Sequence, residues 1–167
     1  GMIHEPSGAR IGGLLEEHVM SEQIPTYWSY LDLDKLLTSQ GGLTDNESDL
    51  LPDELHFIIV HQTLELWLKL MLSELRLARD HLDAHEVPEQ QVPSVVHHMR
   101  RVIEIFKLAV SHFDVVETLT ARDFLAFRDK LFPASGFQSY QMREMEIVLG
   151  LDEAKRAKLG NITALQY

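Results

Sequence analysis

The sequence predicts an all-α fold, a helical bundle with two long antiparallel helices at its centre. Two long segments, residues 52–85 and about 92–114, carry apolar residues at helical spacing. No segment alternates convincingly between apolar and polar residues, as a half-buried strand would. Proline and glycine interrupt the pattern between the segments, where helices begin and end.

The N-terminal region is predicted to be an arm followed by one domain. Residues 1–26 are polar and weakly patterned, with a short helix over about 11–20, and we expect them to form a flexible arm. Residues 27–167 are expected to form a single all-α domain. Tyr27, Trp28 and Tyr30 open it, and they fit either a hydrophobic plug or an arm that packs on another subunit.

The first long helix carries polar residues within an apolar surface. Pro52 suits its first turn, and His61 lies four residues after Phe57 and four before Glu65, so the three side chains share one face. A helix this apolar must be covered by other elements, and a buried polar side chain then needs a partner. His61 is therefore either a core histidine bonded within the protein or the polar anchor of a pocket walled by Phe57.

Shorter helices follow the second long segment. Thr120 is a predicted N-cap with Asp123 three residues later, and it opens a helix through residue 132 whose apolar face carries Phe124 and Phe127. A further helix over about 138–149 ends at Gly150, and a last one covers about 152–159.

Composition excludes several classes of function. The 167 residues are 45% hydrophobic, which is typical of a globular domain, and the net charge of −11 argues against a nucleic-acid partner. We expect no apolar run to reach the length of a membrane span, recognise no signal peptide, and expect a cytoplasmic protein without a membrane partner. The absence of cysteine excludes disulfides, thiolate metal sites and a cysteine nucleophile.

Two groups of polar residues could bind a ligand. His81 and His85 have the i, i+4 spacing of two metal ligands, but no third ligand is evident and histidine is favoured near a helix C-terminus, so we predict no metal site there. Arg128 lies on an apolar helix and needs an anion, which is either an internal carboxylate or the carboxylate of a ligand. Phe57, His61 and Arg128 together would suit a flat aromatic amino acid.

Four separated segments carry a resemblance to a known family. They are YWSYLDLDKLL at 27–37, DELHFIIVHQTLELWLK at 53–69, VVETLTARDFLAFRDKL at 115–131 and PASGFQSYQMREMEIVLG at 133–150. In their order and spacing they resemble the tryptophan 2,3-dioxygenase family. The resemblance implies a tryptophan/indoleamine 2,3-dioxygenase-like all-α fold, haem b, and insertion of both atoms of O2 across the C2–C3 bond of the indole of L-tryptophan to give N-formylkynurenine.

The resemblance also assigns roles to residues. His61 corresponds to the distal catalytic histidine that accepts the indole N–H, and Arg128 to the arginine that pairs with the substrate carboxylate. Phe124 occupies a position that is usually tyrosine, which leaves the pocket without a hydroxyl. The remaining residues implied in binding L-tryptophan or a related indole are Phe57, Ile58, Ile59, Val60, Tyr27, Tyr30 and Leu31.

Oligomer and cofactor are implied in the same way. Tyr27, Tyr30 and Leu31 match a segment that completes the pocket of a neighbouring subunit, which implies a homo-oligomer, either a tetramer or a dimer. Ser135 and Gly136 match the loop over the distal face of haem. The family's proximal haem histidine lies in a C-terminal region beyond the position of Tyr167, and none of the nine histidines corresponds to it. The alternatives are a haem-free module that binds an aromatic amino acid and a purely structural oligomerisation domain.

Overall fold

The computed structural model describes residues 24–152, and within this range the chain is helical and contains no strand, so the predicted all-α fold is confirmed. The predicted arm helix over 11–20 and almost all of the last predicted helix lie outside the described residues. The helices are α1 Tyr27–Tyr30, α2 Leu33–Leu36, α3 Pro52–Leu82, α4 Val92–Val116, α5 Ala121–Leu125, α6 Arg128–Leu131 and α7 Tyr140–Val148. Four short 3-10 turns connect them: Gly42–Thr44, Glu47–Asp49, Glu89–Gln91 and Gly136–Gln138.

The chain divides into two compact units after Leu36. The described part of the first unit contains α1 and α2. The Thr26 hydroxyl caps α1 by accepting a hydrogen bond from the Ser29 amide, and the Trp28 indole N–H donates to Asp34 at 2.7 Å. These contacts are local, as expected for two one-turn helices. The predicted boundary after residue 26 stays a prediction.

The second unit is built on α3. Pro52 occupies the first turn as predicted, and Asp53 and Glu54 lie at the positive end of the helix dipole. The helix ends at Leu82, three residues before the predicted end, because Asp83 leaves the helical conformation with φ −79° and ψ 56°.

Helices α3 and α4 are antiparallel, as predicted. Glu74 of α3 bonds to His98 near the start of α4, whereas the carbonyl oxygen of Val60, two turns into α3, accepts a hydrogen bond at 3.0 Å from His112 near the end of α4. Helix α7 packs against the same pair and completes a small core. The buried residues of this core are Met71, Leu72, Leu75, Val102, Ile105 and Met145.

A buried carboxylate ties α3 to α4. The two oxygens of Glu74 accept hydrogen bonds from His98 Nδ1 at 2.7 Å and from Arg101 at 3.0 Å. Burial raises the pKa of Glu74, but the hydrogen bonds and the positive charges of His98 and Arg101 together outweigh it and hold the pKa of the carboxyl below its ordinary value. The charged carboxylate therefore stabilises the contact between the long helices.

The helix predicted over residues 120–132 is two helices. Thr120 caps the first of them by accepting from the Asp123 amide, as predicted, but the helix stops at Leu125 and α6 begins at Arg128. The backbone of Phe127, at φ −125° and ψ −4°, forms the break between them. The single-helix prediction was wrong because the break turns the Phe127 ring into the core, where only 1% of the residue is exposed.

Among the described residues, α3 is the one helix with the length and apolar character to cross a membrane. The expectation that no apolar run reaches this length was therefore wrong. Glu54, Glu65 and Glu74 of α3 nevertheless each pair with a side chain of α6, α7 or α4.

Candidate functional site

His61 is fixed by its own helix. Its Nδ1 lies 2.7 Å from the carbonyl oxygen of Phe57, one turn earlier. Because a carbonyl only accepts, Nδ1 carries the proton in the neutral ring and Nε2 is left as an acceptor. The two rings are in contact, with centroids 4.0 Å apart. Nε2 has no hydrogen-bond partner within residues 24–152, so His61 satisfies one nitrogen within its own helix and leaves the other as an unused acceptor in this range.

Two phenylalanines from the α5–α6 corner meet Phe57. The ring centroid of Phe124 lies 5.7 Å from that of Phe57, and the ring centroid of Phe127 lies 5.6 Å from it. Phe124 and Phe127 are themselves 5.5 Å apart with their rings perpendicular. Edge-on aromatic contacts at these distances are favourable. The three rings therefore form one aromatic cluster, made of Phe57, Phe124 and Phe127, which joins α3 to α5 and α6.

Arg128 lies at the other side of this cluster. Its guanidinium carbon is 5.6 Å from the centre of the Phe124 ring, within the range of a cation–π contact. The residue is exposed, and its guanidinium forms no ion pair with any residue that the structure describes. The predicted alternative of an internal salt bridge is thus not found in this range. The five donors of the guanidinium remain available to an anion.

A second contact, which sequence reasoning missed, holds the corner against α3. Lys130 Nζ donates to Glu54 Oε2 at 2.9 Å, and Glu54 is 4% exposed. Glu54 lies one turn before Phe57 on α3, and Lys130 lies in α6, two residues after Arg128. The two residues are 76 positions apart, so their charges gave no local signal of pairing.

Glu65 has its hydrogen-bond partner in α7. Its carboxylate accepts a hydrogen bond from Gln141 of α7 at 2.7 Å, and the same amide nitrogen also donates to the Glu65 carbonyl at 2.8 Å. Glu65 therefore has the internal partner that its position requires, and it holds α7 onto α3.

The other predicted substrate residues of α3 are spread around the helix. Val60 is buried in the protein, Ile58 is half-buried and Ile59 is exposed. Successive helical residues are separated by about 100° of rotation, so three neighbours cannot all face one ligand. The structure brings together Phe57, His61, Phe124 and Arg128, and the binding roles of residues 58–60 stay predictions.

The predicted cofactor and subunit residues lie outside the aromatic cluster. The Ser135 hydroxyl caps the turn Gly136–Gln138, and the direction in which a Gly136 side chain would point is open within 4 Å. The space beside Gly136 therefore leaves room for a flat group. The cofactor-binding roles of Ser135 and Gly136 stay predictions. Tyr27, Tyr30 and Leu31 belong to the first unit and are exposed there.

His81, near the end of α3, has its ring contact with His98 and not with His85. The His81 ring stacks on the ring of His98, with centroids 5.8 Å apart, and His85 lies beyond the end of the helix. Over residues 24–152 there is no group of three or more side chains of histidine, aspartate or glutamate suited to a metal ion.

Within residues 24–152, an all-α fold thus carries the aromatic cluster, with the imidazole acceptor of His61 on one side and the guanidinium of Arg128, which has no ion pair in this range, on the other. This arrangement suits a flat ring that bears an anionic group. The model of the tryptophan 2,3-dioxygenase family matches residues 16–163, and the chain belongs to this family. The resemblance seen in the four sequence segments is thereby confirmed.

Individual relatives of the chain carry the name of the same family. The chain is 52% identical over 134 residues to a tryptophan 2,3-dioxygenase of Sorangium cellulosum, which covers 80% of this chain and 32% of the relative. It is 51% identical over 131 residues to tryptophan 2,3-dioxygenase 2 of Ralstonia nicotianae, covering 78% of this chain and 36% of the relative. A tryptophan 2,3-dioxygenase of Anopheles gambiae is 39% identical over 141 residues, which cover 84% of this chain and 36% of the relative. The chain thus spans about a third of the length of these curated relatives.

Proposed function

We propose that this chain forms the substrate-binding part of a tryptophan 2,3-dioxygenase and that its ligand is L-tryptophan or a closely related indole. The observation that carries the proposal is the convergence of His61 and Arg128 on one aromatic cluster. They come from elements more than 60 residues apart, yet each rests on a ring of the cluster, His61 on Phe57 and Arg128 on Phe124. Membership of the family supports the same ligand.

Each residue has a defined task in this proposal. The indole ring packs against Phe57, and its N–H donates to Nε2 of His61, which is kept as an acceptor by the bond from Nδ1 to the Phe57 carbonyl. Arg128 binds the carboxylate through two parallel hydrogen bonds, for which its planar fork is suited. Phe124 supplies an apolar ring without a hydroxyl, so the carboxylate is held by the guanidinium without a further donor from this position.

The reaction of the family needs a haem, which supplies the activation of O2 when it is bound. Ser135 and Gly136 would lie against its distal face. The share of this chain's residues is to bind the indole, orient it and exclude water from it. Holding a reactant in a productive geometry accounts for a large part of enzymatic rate enhancement.

We also propose that the protein is cytoplasmic and forms a homo-oligomer. Tyr27 and Tyr30 support the oligomer, because they are 77% and 81% exposed in the first unit. Large exposed aromatic side chains are typical of residues that become buried in a subunit interface.

Titration of the chain with ligands tests the proposed function. Isothermal titration calorimetry should show that L-tryptophan binds at least about tenfold more tightly than tryptamine, which lacks the carboxylate. L-Phenylalanine, which lacks the indole N–H, should also bind more weakly. Equal affinities for L-tryptophan and tryptamine, or no binding of either, would refute the proposal.

The enzymatic part of the proposal is tested separately. Addition of haemin, followed by absorption spectroscopy in the Soret region and by an assay for N-formylkynurenine, should show cofactor binding and turnover of L-tryptophan. Binding of L-tryptophan without a Soret band would instead support the haem-free binding module and contradict the proposed reaction for this chain.

A further inference from the structure

The aromatic cluster contains one ring that the proposed function does not use. Phe57 supports His61 and Phe124 supports Arg128, whereas Phe127 faces neither of the two polar groups in any contact of the described residues. It is 1% exposed, more buried than either of the other two rings. Its ring nevertheless contacts both of them, at 5.6 Å and 5.5 Å between centroids.

The three rings form a nearly equilateral triangle with sides of 5.5, 5.6 and 5.7 Å. Because Phe127 contacts both other rings, it restricts the movement of Phe57 and Phe124 relative to each other. A single contact between Phe57 and Phe124 would leave these two rings free to slide and tilt. Phe127 meets Phe124 at 90° and Phe57 at 62°, so edges of one ring meet faces of another. Protein interiors are packed closely enough that such a ring leaves little freedom to its neighbours.

We infer that Phe127 is a positioning residue that sets the distance between the indole acceptor His61 and the carboxylate clamp Arg128. This inference rests on the proposed function and deepens it. The break of the helix at Phe127 supports it, because the same backbone step that turns Phe127 inward begins α6 at Arg128. The orientation of the clamp and the burial of the ring thus depend on one another.

Replacement of a positioning residue has a different effect from replacement of an ordinary core residue. If Phe127 only contributed to stability, its replacement would lower the melting temperature and leave ligand selectivity unchanged. If Phe127 sets the spacing, its replacement prevents one ligand from engaging both polar groups at once. A misplacement of about 1 Å is enough to weaken a site that relies on two directional contacts.

The test measures the affinities of four ligands by calorimetry. L-Tryptophan carries both groups, tryptamine lacks the carboxylate, 1-methyl-L-tryptophan lacks the indole N–H, and 1-methyltryptamine lacks both. In the parent chain, loss of the carboxylate should weaken binding about tenfold or more, and loss of the indole N–H should weaken it about 5- to 10-fold. In Phe127→Leu, the affinity for L-tryptophan should fall to within about threefold of the two singly altered ligands, because only one group is engaged at a time.

Two further variants make the result decisive. Phe127→Met keeps a large apolar side chain without a flat ring, and it should lose selectivity like Phe127→Leu; it carries the test if circular dichroism shows that the leucine variant does not fold. Val102→Ala is the matched control, since Val102 is also 1% exposed but lies in the core between α3 and α4. It should lose thermal stability and keep the selectivity of the parent.

The outcomes separate the two levels of the proposal. A parent chain that does not distinguish the four ligands would refute the proposed function and this inference with it. A parent chain that distinguishes them, together with a folded Phe127 variant that distinguishes them equally well, would overturn the inference alone. Loss of selectivity in the Phe127 variants, with selectivity kept in Val102→Ala, would support it.

Discussion

Replacement of Arg128 by leucine separates binding from stability. The guanidinium is exposed and has no ion-pair partner among residues 24–152, so the substitution removes from the fold only its contact with the Phe124 ring. A cation–π contact at an exposed site contributes about 0.5–1 kcal/mol, and we expect the free energy of unfolding to change by no more than that. The same substitution removes the proposed partner of the ligand carboxylate.

The expected loss of affinity is much larger than the loss of stability. A hydrogen bond to a charged group contributes about 1.5–3 kcal/mol, which corresponds to a decrease of about 10- to 100-fold in the affinity for L-tryptophan. Tryptamine, which has no carboxylate, should bind Arg128→Leu and the parent equally well. Calorimetric titration measures both affinities, and thermal unfolding followed by circular dichroism measures the stability.

Arg122→Leu is the control for charge and location. Arg122 is an exposed arginine of α5, on the same corner, and the substitution removes the same charge from the chain. It should leave the affinity for L-tryptophan unchanged. The reasoning fails if Arg128→Leu binds L-tryptophan as tightly as the parent does, or if both variants lose the same affinity.

Three further predictions concern the acceptor, the buried carboxylate and the loop before α3. His61→Leu should lower the affinity for L-tryptophan about 5- to 10-fold and leave the affinity for 1-methyl-L-tryptophan unchanged, because only L-tryptophan donates an indole N–H. Calorimetry measures both affinities, and an equal loss for both ligands would contradict the acceptor role. Glu74→Gln should flatten the fall of stability in acid. The pKa of Glu74 is lowered in the folded chain, so the charged carboxylate stabilises the fold at pH values above its ordinary pKa of 4.5, and this stabilisation is lost as the pH falls below 4.5. Urea unfolding at several pH values measures the free energy of unfolding. An acid dependence equal to that of the parent would contradict the prediction. Gly41→Ala should destabilise the chain by about 1–3 kcal/mol, because a Cβ there would overlap the backbone of Asp45, and an unchanged melting temperature would count against this packing.

The elements with strong periodicity could be predicted from the sequence. The two long helices, their antiparallel packing and the glycine that ends α7 follow from patterns that repeat over many residues or from a single residue with a clear preference; Gly150 has the positive φ of 78° that favours glycine. The break at Phe127 could not be predicted in this way. Phe124, Phe127 and Leu131 have helical spacing, and only the tertiary position of the Phe127 ring shows that the backbone leaves the helix there.

The polar residues of the candidate site could be predicted from the sequence, whereas the contacts that hold them in place could not. His61 and Arg128 stand out because each is a polar residue on an apolar helix, and the family resemblance joined them. The Lys130–Glu54 ion pair and the edge-on contact of Phe127 with Phe57 join residues 70 or more positions apart. Charged residues are common on helices, and a phenylalanine is usually a core residue, so neither type of side chain signals a distant partner.

The central claim is that His61 and Arg128 face one and the same ligand. Intermolecular nuclear Overhauser effects between L-tryptophan and the chain test this claim directly. We expect the indole protons of the ligand to show contacts with the rings of Phe57 and His61, and its Cα proton with Phe124 and the Arg128 side chain. Contacts to only one side of the cluster, or to residues elsewhere in the chain, would contradict the account.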